Sequence, residues 1–237
     1  MINDKKPVYL LAGGRPRSRQ VPDPLIQAVF RESGRLSPII AYVGTANDDD
    51  NGFFNRIAKV FGETGACRVN HALISSKKAN LKKAQDILKS ADIIFISGGD
   101  VDRGIRILRE RNMIDFLSEL HEQGTPFFGT SAGSIMLAKK WVRWRDPGDN
   151  STAELFPCLG FAPIICDTHD EQYGWQELKT TLKLEGGKVK GYGIVTGAAI
   201  KVLSDGRIEA LAGIIHQYIR RGERVYRAAD ILPVSTK

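Results

Sequence analysis

The 237-residue chain is poor in cysteine and lacks a long apolar segment, and both shortages exclude classes of protein. Its three cysteines, Cys67, Cys158 and Cys166, form no C-x-x-C pair, which excludes a disulfide scaffold, a zinc cage and a thioredoxin-type motif. Cys67 and Cys166 lie in apolar strand-like runs, so we expect them to be small core residues. No apolar run approaches the ~18 residues that span a bilayer, and the run from Val8 to Ala12 is too short for a signal sequence. The sequence therefore predicts a cytoplasmic protein with no membrane partner.

The composition is that of an ordinary globular protein with a surplus of basic residues. Hydrophobic residues make up 42% and charged residues 26%, and the length favours a single domain over residues 1–237. The net charge is +7, but the lysines and arginines are spread along the chain and no RNA-binding signature is present. We therefore expect no nucleic-acid partner. A positive field that attracts small acidic substrates is an equally good interpretation of the charge.

Strand and helix patterns alternate over most of the chain. Continuous apolar runs at Pro38–Val43 and Asp92–Ser97 are typical of strands covered on both faces, and Pro126–Thr130 is the next strand. Each is followed by a helical pattern, and the helix after Pro126–Thr130 is expected over Ala132–Lys140. This alternation predicts an α/β three-layer sandwich, in which a mostly parallel, doubly wound sheet has helices on both faces.

The C-terminal region changes character and predicts short strands. Asp205-Gly206 is a strong hairpin turn between Ala198–Leu203 and Arg207–Leu211, and Ile214–Ile219 is the last predicted strand. We expect these hairpins to extend one edge of the sheet in antiparallel fashion. Residues 142–160, rich in charge, proline and glycine, are predicted to form a long loop.

The most informative segment is Gly129-Thr-Ser-Ala-Gly133, where a predicted strand meets a predicted helix almost without a loop. This is G-x-S-x-G in the strand–turn–helix context that a nucleophile elbow requires. Only small neighbours fit such a turn, which lifts the Ser131 hydroxyl above the carboxyl edge of the sheet. The N–H of Ala132 is then free at a helix N-terminus, where it can stabilise an oxyanion. The alternative is a tight strand–helix junction with Ser131 as a helix N-cap.

A serine nucleophile needs a base, and the chain offers four histidines. His169 follows the predicted strand Ala162–Cys166, so it should lie at the sheet edge where sites assemble. His71 lies inside a strand and His121 late in a helix, where surface or packing roles are expected. His169 is therefore the best candidate base by position.

A different constellation would use His216 in the last strands. With Ser131 and Asp205 it gives the chain order of an α/β-hydrolase esterase. Too few strand–helix repeats follow Ser131 for that fold, and Asp205 is better explained as a turn residue.

A second glycine-rich turn, Gly98-Gly99-Asp100, follows the buried strand Asp92–Ser97. Two glycines allow a backbone N–H to approach a reacting carbonyl closely, so the N–H of Gly99 is a candidate second oxyanion donor. A tight turn in which Asp100 caps the next helix explains the same residues. The two interpretations are compatible.

With these segments the sequence resembles peptidase family S51, which includes aspartyl dipeptidases and cyanophycinases and shares the class I glutamine-amidotransferase-like fold. This resemblance implies a serine peptidase that hydrolyses short peptides, including acidic or β-aspartyl ones. The reaction would pass through an acyl-enzyme on Ser131, with His169 as the base. Gly99 and Ala132 would form the oxyanion hole, and the implied chemistry requires no metal or organic cofactor. The resemblance covers most of the chain and is carried by Ile96-Ser-Gly-Gly-Asp100, Gly129-Thr-Ser-Ala-Gly133, Leu159-Gly-Phe-Ala-Pro-Ile-Ile-Cys-Asp-Thr-His169 and the hairpin region from Gly193 to Gly206.

Two positions depart from the family pattern. Thr196 stands where the family usually places a glutamate that orients the histidine, and Asp167, Asp170 and Glu171 are the nearby acids that would substitute for it. Asp100 replaces a family asparagine, and its negative charge would disfavour an acidic substrate side chain. If no acid substitutes, the protein is a catalytically impaired member that binds a small ligand or peptide without turnover.

The remaining expectations concern the substrate pocket and the assembly. Gly98, Asp100, Thr130 and Arg143 are expected to line the pocket around Ser131. Arg143 would hold a substrate carboxylate with two hydrogen bonds, and the simpler alternative is an arginine in solvent. A homodimer is the expected assembly for an enzyme of this size.

Overall fold

The computed structural model describes residues 5–13, 23–32, 34–35, 37–66, 68–147 and 149–233, so the expectation for Cys67 lies outside the described residues. The strands are β1 (Val8–Leu11), β2 (Ile39–Val43), β3 (Arg68–Ala72), β4 (Ile93–Ile96), β5 (Phe127–Thr130), β6 (Lys140–Trp144), β7 (Ala153–Pro157), β8 (Ile165–Thr168), β9 (Val189–Ile194), β10 (Ala199–Val202), β11 (Ile208–Ala212), β12 (Ile215–Arg221) and β13 (Arg224–Arg227). The α-helices are α1 (Pro24–Glu32), α2 (Asn51–Thr64), α3 (Leu81–Lys89), α4 (Val101–Glu110), α5 (Ile114–Glu122), α6 (Ala132–Leu137) and α7 (Gln176–Glu185).

A seven-stranded sheet with the order β11-β10-β1-β5-β4-β2-β3 confirms the predicted α/β architecture. The five strands from β1 to β3 in that order pair in parallel, as the strand–helix alternation requires. The β10–β11 hairpin joins β1 antiparallel at one edge, which is the predicted C-terminal extension. β5, which leads into the serine segment, lies at the centre of the sheet.

Two apolar clusters cover the two faces of this sheet, because successive side chains of a strand point to opposite sides. On β4, Ile94 and Ile96 pack with residues of α3 to α6, whereas Ile93 and Phe95 pack with residues of α1 and α2. The strands are therefore covered on both faces, which explains their continuous apolar sequence.

A second, four-stranded sheet has the order β13-β12-β9-β8 and corrects two expectations. β8, the strand before His169, and β12 belong to this sheet rather than to the main one. Glycines on β9 allow α7 to lie close to the sheet: a Cβ at Gly193 would lie 2.8 Å from the Trp175 ring, and one at Gly191 2.8 Å from Leu178. The pattern of short strands did not reveal this separate pairing.

Strands β6 and β7 form a hairpin where a long loop over residues 142–160 was predicted. β6 pairs antiparallel with β7, and Arg143 lies directly opposite Glu154. Opposite charges in this register stabilise a strand pair. The helix that follows Ser131 is accordingly shorter than predicted and ends at Leu137, since the chain is already extended at Ala138.

An acidic side chain is buried on β8. Asp167 is 3% exposed; its Oδ1 accepts the Thr168 N–H at 2.8 Å, whereas its Oδ2 has no hydrogen-bond partner among the described residues. Burial, and next the charge of Glu177, raise the pKa of Asp167 well above its usual range. Folding therefore shifts the equilibrium of this carboxyl group toward its neutral form.

We predict that Asp167→Asn becomes more stable relative to the wild type as pH rises from about 4, the ordinary pKa of aspartate, toward neutral pH. Over that range the unfolded chain releases the Asp167 proton more readily than the folded chain, whose pKa at this group is raised. The wild-type protein therefore loses stability as pH rises, whereas asparagine does not titrate. Urea unfolding at several pH values measures the difference. The exposed Asp115→Asn is the matched control, and a difference between wild type and Asp167→Asn that is flat across this range would contradict the prediction.

Candidate functional site: a serine and a histidine at the edge of the central sheet

Ser131 lies on a sharp turn that joins β5 to α6. Its backbone has φ 54° and ψ −127°, a region that non-glycine residues occupy only under strain. The Ser131 N–H donates to the Leu11 carbonyl at 3.0 Å. The buried Ser134 hydroxyl lies 2.8 Å from the same carbonyl and 2.9 Å from that of Gly129. These contacts fix the turn between two neighbouring parallel strands.

Neither glycine of G-x-S-x-G has room for a side chain. A Cβ at Gly129 would lie 2.6 Å from the Gly133 carbonyl group, and one at Gly133 would lie 2.1 Å from the Ile96 carbonyl oxygen. The helix thus begins directly against the ends of β4 and β5. This is the local geometry that the sequence motif predicts for an elbow.

His169 meets Ser131 from the other sheet. Ser131 Oγ and His169 Nε2 lie 2.6 Å apart. The histidine follows β8, has φ 44°, and donates its backbone N–H to the Ile194 carbonyl at 2.9 Å. The expected pair is therefore brought together, although its histidine does not come from an edge of the main sheet.

The pair opens into a cavity of about 400 Å³. Ser131 is half-buried and His169 is exposed, so a ligand can reach both side chains. The described residues that line the cavity are Ser131, His169, Glu171, Gln172 and Thr196.

The glycine-rich turn lies beside the serine. A Cβ at Gly98 would lie 3.2 Å from the Ser131 Cβ. Gly99 has φ 146°, and a Cβ there would lie 2.1 Å from the Ala46 carbonyl oxygen, so only glycine fits. Ala132 is the first residue of α6, and its N–H has no acceptor within the helix. Two backbone N–H groups thus lie close to the serine, where they are candidate donors to the oxygen of the carbonyl group that the serine would attack.

A polar network behind this turn is a feature that the sequence reasoning missed. The Asn47 side-chain nitrogen lies 2.9 Å from the Gly98 carbonyl oxygen and 3.0 Å from the Ser97 hydroxyl. The Tyr42 hydroxyl donates to Ser97 Oγ at 2.9 Å. Asn47 follows β2 at the same carboxyl edge, which was the available signal. The network fixes the orientation of the peptide that precedes Gly99.

Two residues expected at the pocket have other partners. Asp100 Oδ1 accepts the Arg103 N–H at 2.8 Å, so Asp100 caps α4, as the alternative interpretation had it. The Arg143 guanidinium bonds to Glu154 and lies 3.2 Å from Asp102, and Arg143 is not among the described residues that line the cavity. Its expected role as a carboxylate clamp is a wrong prediction, because cross-strand pairing already holds the guanidinium.

Thr130 and Gly98 do border the serine. Thr130 is the last residue of β5, and its carbonyl oxygen would lie 3.1 Å from a Cβ at Gly98. They shape the backbone next to Ser131, while the side chains that face the described cavity come mainly from the segment after β8 and from the end of β9.

The other histidines are engaged elsewhere. His71 stacks on Phe54 with ring centroids 4.3 Å apart, and the buried His121 stacks on Phe161 at 4.7 Å. His216 Nδ1 lies 3.0 Å from an Asp230 carboxylate oxygen. The esterase constellation is not assembled, because its aspartate, Asp205, bonds to Arg207 in the hairpin turn.

Thr196 stands at the position where an acid was expected, and it forms hydrogen bonds to the acidic side chain of Glu171. Its N–H donates to the Glu171 carboxylate, and its hydroxyl lies 3.4 Å from the same group. Burial raises the pKa of Glu171, but the hydrogen bonds from Thr196 and the nearby charge of His169 outweigh it, and the pKa is lowered. Glu171 is therefore a stabilised carboxylate in the cavity.

The part of the chain that the structure describes contains no helix long and apolar enough to cross a membrane. Within those same residues, no group of three or more histidine, cysteine or acidic side chains is arranged to hold a metal ion.

The fold and the site define a class: α/β proteins with a serine on a strained strand–helix turn, hydrogen-bonded to a histidine. The sequence model of peptidase family S51 matches residues 8–210, and the chain belongs to that family. Peptidase E of Haemophilus influenzae is 35% identical over 81 residues, which are 32% of this chain and 37% of that protein. Peptidase E of Pasteurella multocida is 26% identical over 129 residues, 52% of each chain. These alignments span about a third to a half of the relatives' length.

A solved structure extends the likeness to the whole fold. A peptidase from an acI-B1 actinobacterium superposes on 97% of this chain and 95% of its own, with a TM-score of 0.69 and 14% identity. At this identity the likeness establishes the shared fold.

We predict that Gly133→Ala destabilises the protein by about 3 kcal/mol, the upper end of overpacking costs, because the new methyl group meets backbone that cannot move aside. Gly62→Ala is the matched control: Gly62 lies on an exposed part of α2 with nothing within 4 Å of its missing Cβ. That variant should gain about 0.5–1 kcal/mol from helix propensity. Urea unfolding checks both, and a Gly133→Ala midpoint equal to that of the wild type would contradict the described elbow.

Proposed function

We propose that the protein is a serine-type peptidase that hydrolyses short peptides through an acyl-enzyme on Ser131. The observation that carries the proposal is the 2.6 Å contact between Ser131 Oγ and His169 Nε2 at a strained elbow beside a cavity. A hydroxyl is a weak nucleophile without a base, and the imidazole is within proton-transfer distance. Membership of peptidase family S51 supports the same reaction class.

In the proposed reaction, Ser131 Oγ attacks the scissile carbonyl carbon while His169 Nε2 takes the hydroxyl proton. The N–H groups of Gly99 and Ala132 stabilise the resulting oxyanion. Collapse of the intermediate breaks the C–N bond, and His169 gives the proton to the leaving amine. Water, deprotonated by His169, then attacks the acyl-enzyme, and Ser131 regains its proton as the acid is released.

The substrate class is proposed more broadly than the family resemblance alone suggests. No lysine or arginine is among the described residues that line the cavity, and Arg143 is held by two acids elsewhere. Glu171 adds negative charge beside His169. We therefore propose short peptides as the class, with acidic and β-aspartyl dipeptides as one arm of the substrate panel and neutral dipeptides as the other.

A second candidate function is binding of a small peptide without turnover. The observation that favours it is the hydroxyl of Thr196 at the position of the family's orienting acid. The same panel distinguishes the two functions. Binding alone gives ligand-dependent melting shifts in the wild type and in Ser131→Ala, with no cleavage by either.

The remaining predictions concern the domain organisation, assembly, location, cofactors and partners of the protein. A single domain, a homodimer, a cytoplasmic location, a reaction without cofactor and the absence of a nucleic-acid partner remain predictions from the sequence. Size-exclusion chromatography with light scattering tests the homodimer directly.

We predict that Ser131→Ala lowers kcat/KM on any cleaved dipeptide by at least about 10³-fold, because the acyl-enzyme can no longer form. An organophosphonate that labels nucleophilic serines should modify the wild type once per chain and leave Ser131→Ala unlabelled, as read by intact-protein mass spectrometry. Ser151→Ala, an exposed serine in the connection between β6 and β7, is the control and should keep wild-type rates. Cleavage that survives in Ser131→Ala would refute the proposed nucleophile.

A further inference from the structure

The peptide between Gly98 and Gly99 carries one of the two N–H groups that the proposed reaction uses, and the residues it joins do not fix its orientation. Both are glycines, so no side chain prevents this peptide from rotating about its flanking bonds. A trans peptide holds its carbonyl oxygen and its N–H on opposite sides. Half a turn would therefore present the carbonyl oxygen in place of the N–H, and an oxyanion would be repelled instead of stabilised.

The backbone on either side of this peptide is held by the loop after β2. The Ser97 N–H donates to the Val43 carbonyl at 3.0 Å, and the Asp100 N–H donates to the Ala46 carbonyl at 2.8 Å. Neither hydrogen bond involves the peptide itself. Its orientation therefore depends on other contacts.

Asn47 supplies such a contact. It is half-buried and is the last residue of the short 3-10 turn Thr45–Asn47 that follows β2. Its side-chain nitrogen donates to the Gly98 carbonyl at 2.9 Å. Its side-chain oxygen accepts the Asp50 N–H at 3.3 Å, so the nitrogen is the end of the amide that faces Gly98.

Two buried hydroxyl groups hold the Asn47 amide in this position. Its nitrogen lies 3.0 Å from the Ser97 hydroxyl and 3.2 Å from the Tyr42 hydroxyl, and Tyr42 donates to Ser97 Oγ at 2.9 Å. Both of these side chains are fully buried. If Asn47 turned away, buried polar groups would lose partners, which is costly.

The Gly99 N–H lies on the opposite side of the peptide from Asn47. Gly99 is exposed, and within the described residues its N–H has no hydrogen-bond acceptor. The turn borders the nucleophile, since a Cβ at Gly98 would lie 3.2 Å from the Ser131 Cβ. An unpaired donor at this place is available to the oxygen of a bound carbonyl group.

We propose that Asn47 is a positioning residue for the oxyanion hole: by holding the Gly98 carbonyl, it keeps the Gly99 N–H available to the reacting oxygen. The inference rests on the proposed function, because it concerns the stabilisation of the oxyanion in that reaction. Asn47 acts through the peptide and not on the substrate, and it is not among the described residues that line the cavity.

The first variant, Asn47→Asp, keeps the shape of the side chain and the acceptor for the Asp50 N–H, but it places a carboxylate oxygen against the Gly98 carbonyl. The two oxygens repel each other, so the peptide turns and the Gly99 N–H leaves the site. We expect kcat/KM to fall by about 10²- to 10³-fold, the effect of losing one oxyanion donor, with KM changed less than about threefold.

Asn51→Asp is the matched control for the added charge. Asn51 is the exposed first residue of α2, four positions along the same segment. Its kcat/KM should stay within about threefold of the wild type, because solvent and salt screen an exposed charge.

The second variant, Asn47→Ala, removes the donor without adding a charge. We expect kcat/KM to fall by at least about tenfold, because the Gly98 carbonyl loses its strongest partner and the peptide is free to turn. Urea unfolding shows whether each variant folds, and Asn47→Ala provides the test if Asn47→Asp does not.

The affinity of a peptide aldehyde separates positioning from a general structural role. The Ser131 oxygen adds to the aldehyde carbon, its proton passes to His169, and the former carbonyl oxygen occupies the oxyanion hole. The Ki should therefore rise by about the factor by which kcat/KM falls. The Kd of an uncleaved dipeptide, measured in the Ser131→Ala background, should change less than about threefold, because binding of the ground state does not use the hole.

Three outcomes would count against the inference, and they are distinguishable. A wild type that neither cleaves the dipeptide panel nor reacts with the organophosphonate would refute the proposed function, and the role of Asn47 with it. An active wild type with kcat/KM unchanged in the Asn47 variants would overturn the role of Asn47 alone. Equal losses of aldehyde and dipeptide affinity would also overturn it, because Asn47 would then support the whole pocket.

Discussion

The contact between Ser131 and His169 joins two sheets, and the rest of the site depends on how those sheets are held together. The serine extends from β5 of the main sheet and the histidine from β8 of the second. Helix α6 lies between them: Ile135 and Met136 share one apolar cluster with Ile164 and Cys166. The Lys139 N–H also donates to the Ile164 carbonyl at 2.9 Å. The helix that starts at the nucleophile thus also fixes the strand that carries the base.

Both members of the pair have strained backbones, with φ 54° at Ser131 and φ 44° at His169. Such conformations persist only where the surroundings over-determine them. At Ser131 the Leu11 carbonyl and the absence of side chains at Gly129 and Gly133 provide this constraint. At His169 the constraint is the parallel pairing of Thr168 with Ile194, together with the hydrogen bond from the His169 N–H to the Ile194 carbonyl. The strain is thus located at the two residues whose side chains must meet.

The sequence was most informative where one short segment determines local geometry. G-x-S-x-G between an apolar strand and a helix predicts the elbow, because the close backbone at Gly129 and Gly133 allows nothing larger than glycine. Asp100 as a cap followed from the same local reasoning. The separate sheet of β8, β9, β12 and β13 was not predictable in this way, because short strands carry no signal of which partner they choose. Arg143 was misplaced for a related reason: its partner Glu154 is fixed only by the hairpin register.

Position 196, where the family places the orienting acid, shows why the members of a catalytic site are identified by geometry rather than by their place in the sequence. By the family pattern alone, Thr196 means that the acid that orients the histidine is lost, because a hydroxyl group carries no charge. The structure adds that Thr196 donates to a carboxylate located on the turn directly after the histidine. This acid is only two residues from the histidine in the chain, and Thr196 of the β9–β10 connection fixes its carboxylate. The hydrogen bonds from Thr196 therefore hold the Glu171 carboxylate in the cavity that Ser131 and His169 also line.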